Sequence, residues 1–289
     1  MYRKIISLIS LSLLCSSAIF SQVNSTNDGF VPKKGNFTVS LVLGNNDVTD
    51  INPSVLPNYS IYDNQNHNYV TRLGADDNFS VKEPAKITNM AGISLNYFLS
   101  DKISLSLFGS YGYKRTEGED AFTGVIPLKD EDGNSIWGTE IPAIQGAPET
   151  ENHKLYLSTG ADYHFKFEES GRALRNVDFH MGARFNFMYE RLEKTQVSWL
   201  IENDGDYLVG SGDAGTATAE ALGLGGSVVA GVDYYFTNVL YLGLEVNVAN
   251  FMYQHTEIVK MPGVQGADQN TTFVNAFSYP RFKIGFKIF

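Results

Sequence analysis

From residue 35 onward, apolar side chains recur at every second position in eight separate runs, the period of a pleated strand and not of a helix. The first run places Phe37, Val39, Leu41 and Leu43 on one face against Thr38, Ser40, Val42 and Gly44 on the other. The second aligns Ala91, Ile93, Leu95, Tyr97 and Leu99, and the third Ile103, Leu105, Leu107, Gly109 and Tyr111. Leu155, Leu157, Thr159, Ala161 and Tyr163 form the fourth; Val177, Phe179, Met181, Ala183, Phe185 and Phe187 form the fifth. The sixth and longest run goes from Leu222 through Val228 to Phe236. The seventh holds Leu240, Leu242, Leu244, Val246 and Val248, and the eighth Phe282, Ile284, Phe286 and Ile288. None of these positions is charged.

The charges lie on the opposite faces: Lys114, Asp162, Asp178, Arg184, Asp233, Glu245, Arg281, Lys283 and Lys287, together with His164 and His180. A soluble sandwich would turn a Lys- and Glu-rich face to water. Here that face is rich in Gly, Ser, Asn and Tyr and carries both signs of charge, as suits a narrow polar lumen with the apolar faces turned to lipid. The gaps between runs alternate. Connections around Ser100-Asp101-Lys102, Glu169-Ser170-Gly171 and Thr237-Asn238 are short, whereas residues 46–86, 116–151, 193–216 and 254–272 make long ones. The pattern predicts an all-β, antiparallel, up-and-down eight-stranded transmembrane β-barrel over residues 35–289, with short periplasmic turns and long extracellular loops.

Composition sharpens this picture. The 289 residues include 19 Phe and 16 Tyr, yet only 19% are charged, and the net charge is −10. That sign argues against a nucleic-acid partner, and a single Cys argues against a disulfide scaffold. Arg3 and Lys4 precede an apolar stretch at residues 5–20, which reads as a signal peptide over residues 1–21. Its removal takes away both bases and Cys15, leaving a cysteine-free chain of charge −12 with a short periplasmic segment at residues 22–34. Acid concentrates in the long gaps: nine acids against one base in 116–151, and five against one in 193–216.

Aromatics fall near the predicted membrane boundaries. Tyr97, Tyr163, Tyr234 and Phe236 mark the periplasmic end, and Tyr111, Tyr113, Phe187 and Tyr189 the outer end. With its leader, eight runs, unequal loops and terminal Phe289, the chain resembles the small eight-stranded outer-membrane barrels of the OmpX-like and OmpA-transmembrane-domain class. The resemblance implies residence in the outer membrane of a Gram-negative cell, among its lipid and lipopolysaccharide. It also implies that the barrel-assembly machinery reads Phe282, Ile284, Phe286, Ile288 and Phe289 as a C-terminal signal. Phe289 is out of phase with the other four, and Pro280 cannot donate to a ladder, so a bulge is expected nearby.

The lumen charges are expected to form a mutually neutralised network that fills the interior, because unpaired charges in so narrow a space are costly. Their alternative role is a narrow path for water, ions or small solutes. No cofactor or metal is expected: His164 and His180 lack further spaced ligands. Gly133 of Asp130-Glu131-Asp132-Gly133-Asn134 would put Leu128 and Thr139 where a calcium loop needs Asp and Glu. Asp132-Gly133 and Asp204-Gly205 read instead as hairpin turns. Trp137 and Trp199 in these outer hairpins are candidates for contact with an envelope protein or a host surface through loops 46–86, 116–151 and 193–216. A lipid-modifying enzyme is the remaining alternative. His153 and His255 with Ser158, Ser211, Glu151 and Glu257 show no catalytic spacing, and Gly210-Ser211-Gly212 is no nucleophile elbow.

Overall fold

The computed structural model describes residues 29–46, 51, 56, 62–63, 68–69, 88–120, 122, 124, 130–134, 136, 146–165, 174–195, 198–203, 206–211, 216–259 and 266–288. Residues 1–21, Trp137 and Phe289 lie outside the described residues. In chain order the strands are β1 (Phe37–Asn46), β2 (Tyr62–Asp63), β3 (Asn68–Tyr69), β4 (Thr88–Ser100), β5 (Ile103–Thr116) and β6 (Glu149–Phe165). These are followed by β7 (Val177–Thr195), β8 (Ser198–Asn203), β9 (Asp206–Ser211), β10 (Thr216–Tyr235), β11 (Leu240–Ile258) and β12 (Ala267–Ile288). Eight of them close into one antiparallel barrel in the order β1-β4-β5-β6-β7-β10-β11-β12, with β12 returning to β1. The remaining four make two small pairs, β2 with β3 and β8 with β9.

The apolar runs point outward. Leu41, Ile93, Leu107, Phe185, Leu224, Leu244 and Phe286 are all exposed, although each is surrounded by paired backbone. From Phe179 to Tyr189 on β7 the chain takes ten steps. At ~3.3 Å per residue and about 40° of tilt that is a rise of roughly 25 Å, the height of an outer-membrane barrel's apolar band. Edge-to-face pairs of Tyr163 with Phe165 (5.1 Å) and Tyr234 with Phe236 (4.8 Å) form part of the lower girdle.

Turn chemistry makes the short connections. The Ser100 hydroxyl accepts the N–H groups of Lys102 and Ile103, and the Thr237 hydroxyl those of Val239 and Leu240. On the opposite side, Gly133 takes a left-handed conformation (φ 82°) in the turn where Asp130 accepts the N–H groups of Asp132 and Asn134. Those bonds, chiefly the one from Asn134, hold the Asp130 carboxyl below its ordinary pKa. Asn203 pairs with Asp206 where β8 meets β9, and Asp204-Gly205 lies outside the described residues.

Two findings depart from the periodicity. Strands continue beyond the apolar runs: β6 begins at Glu149, β10 at Thr216 and β12 at Ala267, while β11 reaches Ile258. Outside the bilayer neither face needs to be apolar, so the ladder persists after its hydrophobic signal has faded. The seventh run also changes phase. Val248 is bulged between the pairs Val229–Asn247 and Val228–Ala249, after which Phe251 and Tyr253 carry the outward face.

The expected bulge at Pro280 is present, because Glu245 pairs with Arg281 while Asn247 pairs with Ser278. Pairing of β1 with β12 runs from Phe37–Ile288 to Gly44–Arg281 and stops at this proline. Phe277 and Tyr279 just before it have positive φ (50° and 55°).

Residues 29–35 cross the mouth of the barrel at the end of the short turns. The Phe30 N–H donates to Asn176 (3.1 Å), and the Phe30 carbonyl accepts from the Lys287 ammonium (2.8 Å). The Lys34 N–H donates to Asp101 (2.7 Å), and the Gly35 N–H to the Phe98 carbonyl (2.8 Å). Gly29 is so close to the Arg175 carbonyl that a Cβ would collide with it. A closed ladder of this kind resists detergent. Purified protein should keep its β circular-dichroism signature in detergent and migrate anomalously on gels until boiled; a chain soluble and monomeric without detergent would contradict the architecture.

Candidate functional site

The lumen is the candidate site, and its contents change with height. Toward the short-turn end the inward positions of β6, β7, β10, β11 and β12 supply Asp162, His164, Asp178, His180, Arg184, Asp233, Glu245, Arg281 and Lys283, all buried. Glycine at neighbouring inward positions makes room for them. A Cβ on Gly182 would strike Asp162, one on Gly231 would meet the His180 ring, and one on Gly243 would strike Asp233. This gives the inward glycines a steric reason.

Glu245 is the hub. Its carboxylate lies 3.3 Å from Arg281 Nη1, 3.4 Å from Lys283 Nζ, 3.6 Å from Arg184 Nη2 and 3.5 Å from His180 Nε2. Arg184 also forks onto Asp162, with contacts of 2.5 and 3.0 Å. Lys283 lies 3.3 Å from Asp233. The Arg281 guanidinium sits over the Phe108 and Tyr156 rings at 5.0 and 5.7 Å, an arrangement that suits a planar cation better than an ammonium. Each buried carboxylate of Asp162, Asp233 and Glu245 therefore faces at least one base, which offsets the cost of desolvation.

Beside this network, Ser104 Oγ lies 2.8 Å from His164 Nε2, and His164 Nδ1 lies 2.8 Å from Asp178 Oδ2. The order is that of an acid–base relay. Ser104 is fully buried, and the adjoining cavity between Phe98, His164, His180 and Tyr235 has room for water-sized occupants. Spacing along the chain gave no sign of this trio, because three different strands contribute it.

Higher up, the lumen turns polar and then apolar. Asn186 accepts from Ser158 (2.7 Å) and donates to Ser227 (3.1 Å). Above it, Met188, Leu192, Ala217, Ala219, Ala221 and Met252 form an inward apolar cluster into which Ile51 and Leu56 of the first long loop are packed. Both residues are held through their backbone: the Ile51 N–H donates to Glu190 (3.0 Å), and Lys194 donates to the Leu56 carbonyl (3.2 Å). Glu190 is itself buried 3.8 Å from Lys154. The expectation of a polar lumen thus fails above Asn186. The sequence gives no warning there, since an aperiodic loop supplies the apolar plug.

Of the residues singled out by sequence, Asp162, Arg184, Asp233, Glu245, Arg281 and Lys283 come together, and Asp178 joins through His164. Lys287 is buried at the floor, bonded to Phe30 and to Asn238 (2.7 Å). Lys114 is a correction. It has the inward phase, but β5 has by then risen above the closed lumen, and the side chain is exposed and apart from the network. Phe282, Ile284, Phe286 and Ile288 lie on the lipid-facing side of β12. Trp199 lies on β8 opposite Gly210. Of the nominal enzyme set, Glu151 and Glu257 come within 3.9 and 3.8 Å of His153 and His255, but Ser158 points into the lumen while both histidines lie on outward faces, bonded to Tyr111 (2.7 Å) and Asn270 (2.8 Å).

The chain matches the model of the OmpA-OmpF-like porin family over residues 83–288. No curated protein matches it in sequence. Among solved structures it is similar to the outer membrane protein OprG of Pseudomonas aeruginosa, at 12% identity over 90% of this chain and 99% of that one, with a TM-score of 0.40. The N-terminal β-barrel domain of Pseudomonas aeruginosa OprF matches at 11% identity over 89% and 100%, with a TM-score of 0.30. Ail, the attachment invasion locus protein of Yersinia pestis, matches at 8% over 89% and 100%, with a TM-score of 0.28.

The network makes a stability prediction. Arg184→Met leaves the Asp162 and Glu245 carboxylates short of a buried partner and should cost roughly 3–5 kcal/mol. Lys114→Met should stay within about 0.5 kcal/mol, as exposed positions do. Urea titration of refolding into lipid vesicles measures both.

Proposed function

The chain belongs to the OmpA-OmpF-like porin family, and on that footing we propose that it is an outer-membrane barrel with a sealed lumen, working through its acidic extracellular loops. Its role is structural, adhesive or that of an assembly partner, with an envelope protein or a host surface engaged by loops 46–86, 116–151 and 193–216. Residues 1–21 act as the export signal. The outward aromatic and aliphatic face of β12 acts as the signal to the assembly machinery.

One observation supports this reading above the others: the lumen is obstructed twice by different chemistry. Below lies the buried ion network around Glu245, and above lies the apolar cluster that receives Ile51 and Leu56. A solute entering from outside meets hydrocarbon, and one entering from the periplasm meets the strap at 29–35 and then fixed charge. With the interior occupied, the chemistry available to partners lies on the loops, which a rigid wall holds away from the membrane.

The narrow-pore reading keeps one specific support, the water-sized cavity beside His164 and His180. Planar-bilayer recording separates the two. The sealed reading expects no steady conductance from the intact protein, and a porin-sized current overturns it. Co-purification from native membranes in mild detergent tests the loop role. A partner retained by the intact chain should be lost when residues 116–151 are shortened, and retention through that deletion removes this loop from the proposal.

A further inference from the structure

Above Asn186 the lumen is a trough with one low side. β7 brings Met188 and Leu192 to its wall, β10 brings Ala217, Ala219 and Ala221, and β11 brings Met252. β12 continues up to Ala267, but β1 pairs with it only as far as Gly44–Arg281 and ends at Asn46. β4 likewise pairs with β5 only up to Gly92–Ser110, while β5 runs on to Thr116. Ile51 and Leu56 lie in this trough as a ligand lies in a groove.

The polar anchors of the trough hold main chain. Glu190 accepts the Ile51 N–H and Lys194 donates to the Leu56 carbonyl, so both recognise a peptide backbone and not a particular side chain. Glu190 and Lys194 lie on the same face of β7. Their separation along the strand is about 13 Å, the span of roughly four extended residues. The loop satisfies these anchors incompletely. Glu190 Oε1 accepts from Ile51 and from Asn152 Nδ2 (2.8 Å). Among the described residues no hydrogen-bond donor reaches Glu190 Oε2 or Asn152 Oδ1, although both atoms are buried. At the other end a neutral carbonyl faces an ammonium. The buried charges of this region are Lys154, Lys194 and Glu190, an excess of one positive charge among the described residues. Unmet acceptors call for further N–H groups, and excess positive charge calls for an anion. The unbranched, polarizable side chains of Met188 and Met252 adapt to aliphatic groups of different shape.

We propose that this trough binds a short aliphatic peptide by its C-terminal end. The carboxylate takes the place of the Leu56 carbonyl on Lys194, and backbone N–H groups supply Glu190 and Asn152. Aliphatic side chains replace Ile51 and Leu56 among the methionines and alanines. The loop residues are then a resident stand-in, displaced by a peptide carrying the terminal charge that they lack. The proposal takes the Ile51 and Leu56 plug from the sealed reading and is independent of which side of the membrane the loops face.

The test is calorimetric titration of the folded mature protein in detergent with acetylated Ile-Ala-Ala-Leu as the free acid. Ile51→Ser/Leu56→Ser, which weakens the resident occupant, should bind it at least about tenfold more tightly than wild type. Leu56→Ser alone should shift affinity in the same direction. In the double variant the C-terminal amide of the same peptide should bind at least about tenfold more weakly than the acid, and Lys194→Met should abolish that difference. Hexanoate has the carboxylate and an aliphatic chain but no N–H, and should bind more weakly than the peptide. Retained anomalous gel migration shows that each variant is folded. No binding to either protein, equal affinity of wild type and both plug variants, an acid preference that survives Lys194→Met, or hexanoate binding as tightly as the peptide overturns the site. Conductance is read separately: a porin-sized current from intact protein sinks the sealed reading and leaves peptide affinity to decide this one.

Discussion

A chain that crosses lipid must pair every backbone N–H and C=O within itself, and the pairing of β1 with β12 is where this molecule meets that requirement. Phe37 to Gly44 against Arg281 to Ile288 joins the first strand to the last and turns an open sheet with two bare edges into a ring. Everything else follows from closure. A ring has an inside and an outside, so alternate residues meet different solvents, and the interior is too narrow for any side chain to ignore its neighbours. Pro280, which has no N–H to contribute, sits where this seam ends.

Confinement explains why the interior is stratified. The ionic floor is possible because each carboxylate around Glu245 can reach a base across the lumen, and because glycine at Gly182, Gly231 and Gly243 vacates the volume those groups need. The region above Asn186 has the opposite solution. There Ala217, Ala219 and Ala221 leave space on the wall, and Ile51 and Leu56 come from a loop to fill it. The same diameter is filled once by long charged side chains with glycine and once by borrowed aliphatic ones with alanine.

The outward half of this organisation was legible in the chain. Eight uncharged faces at period two state both the number of strands and the side that meets lipid, since lipid accepts no charge and water imposes no such rule. Alternation reports a face but not a height, which is why Lys114 reads as luminal and is not: β5 outlasts the rim. Glu190, Lys154 and Lys194 escaped notice for the same reason, lying beyond the apolar runs on strands that carry on. Ser104, His164 and Asp178 come from three strands, and their meeting depends on register, which no single run encodes. Ile51 and Leu56 sit in a segment without period, where nothing distinguishes a plug from a solvated loop.

The crossing at residues 29–35 has a bearing on the order of events. Phe30 is fastened by Lys287, two residues from the end of the chain, and by Asn176 from the middle of it. The Lys287 fastening cannot exist until the final strand has found its place beside the first. That bond is therefore a latch that only a finished ring can close, and its engagement distinguishes a completed molecule from one still being built.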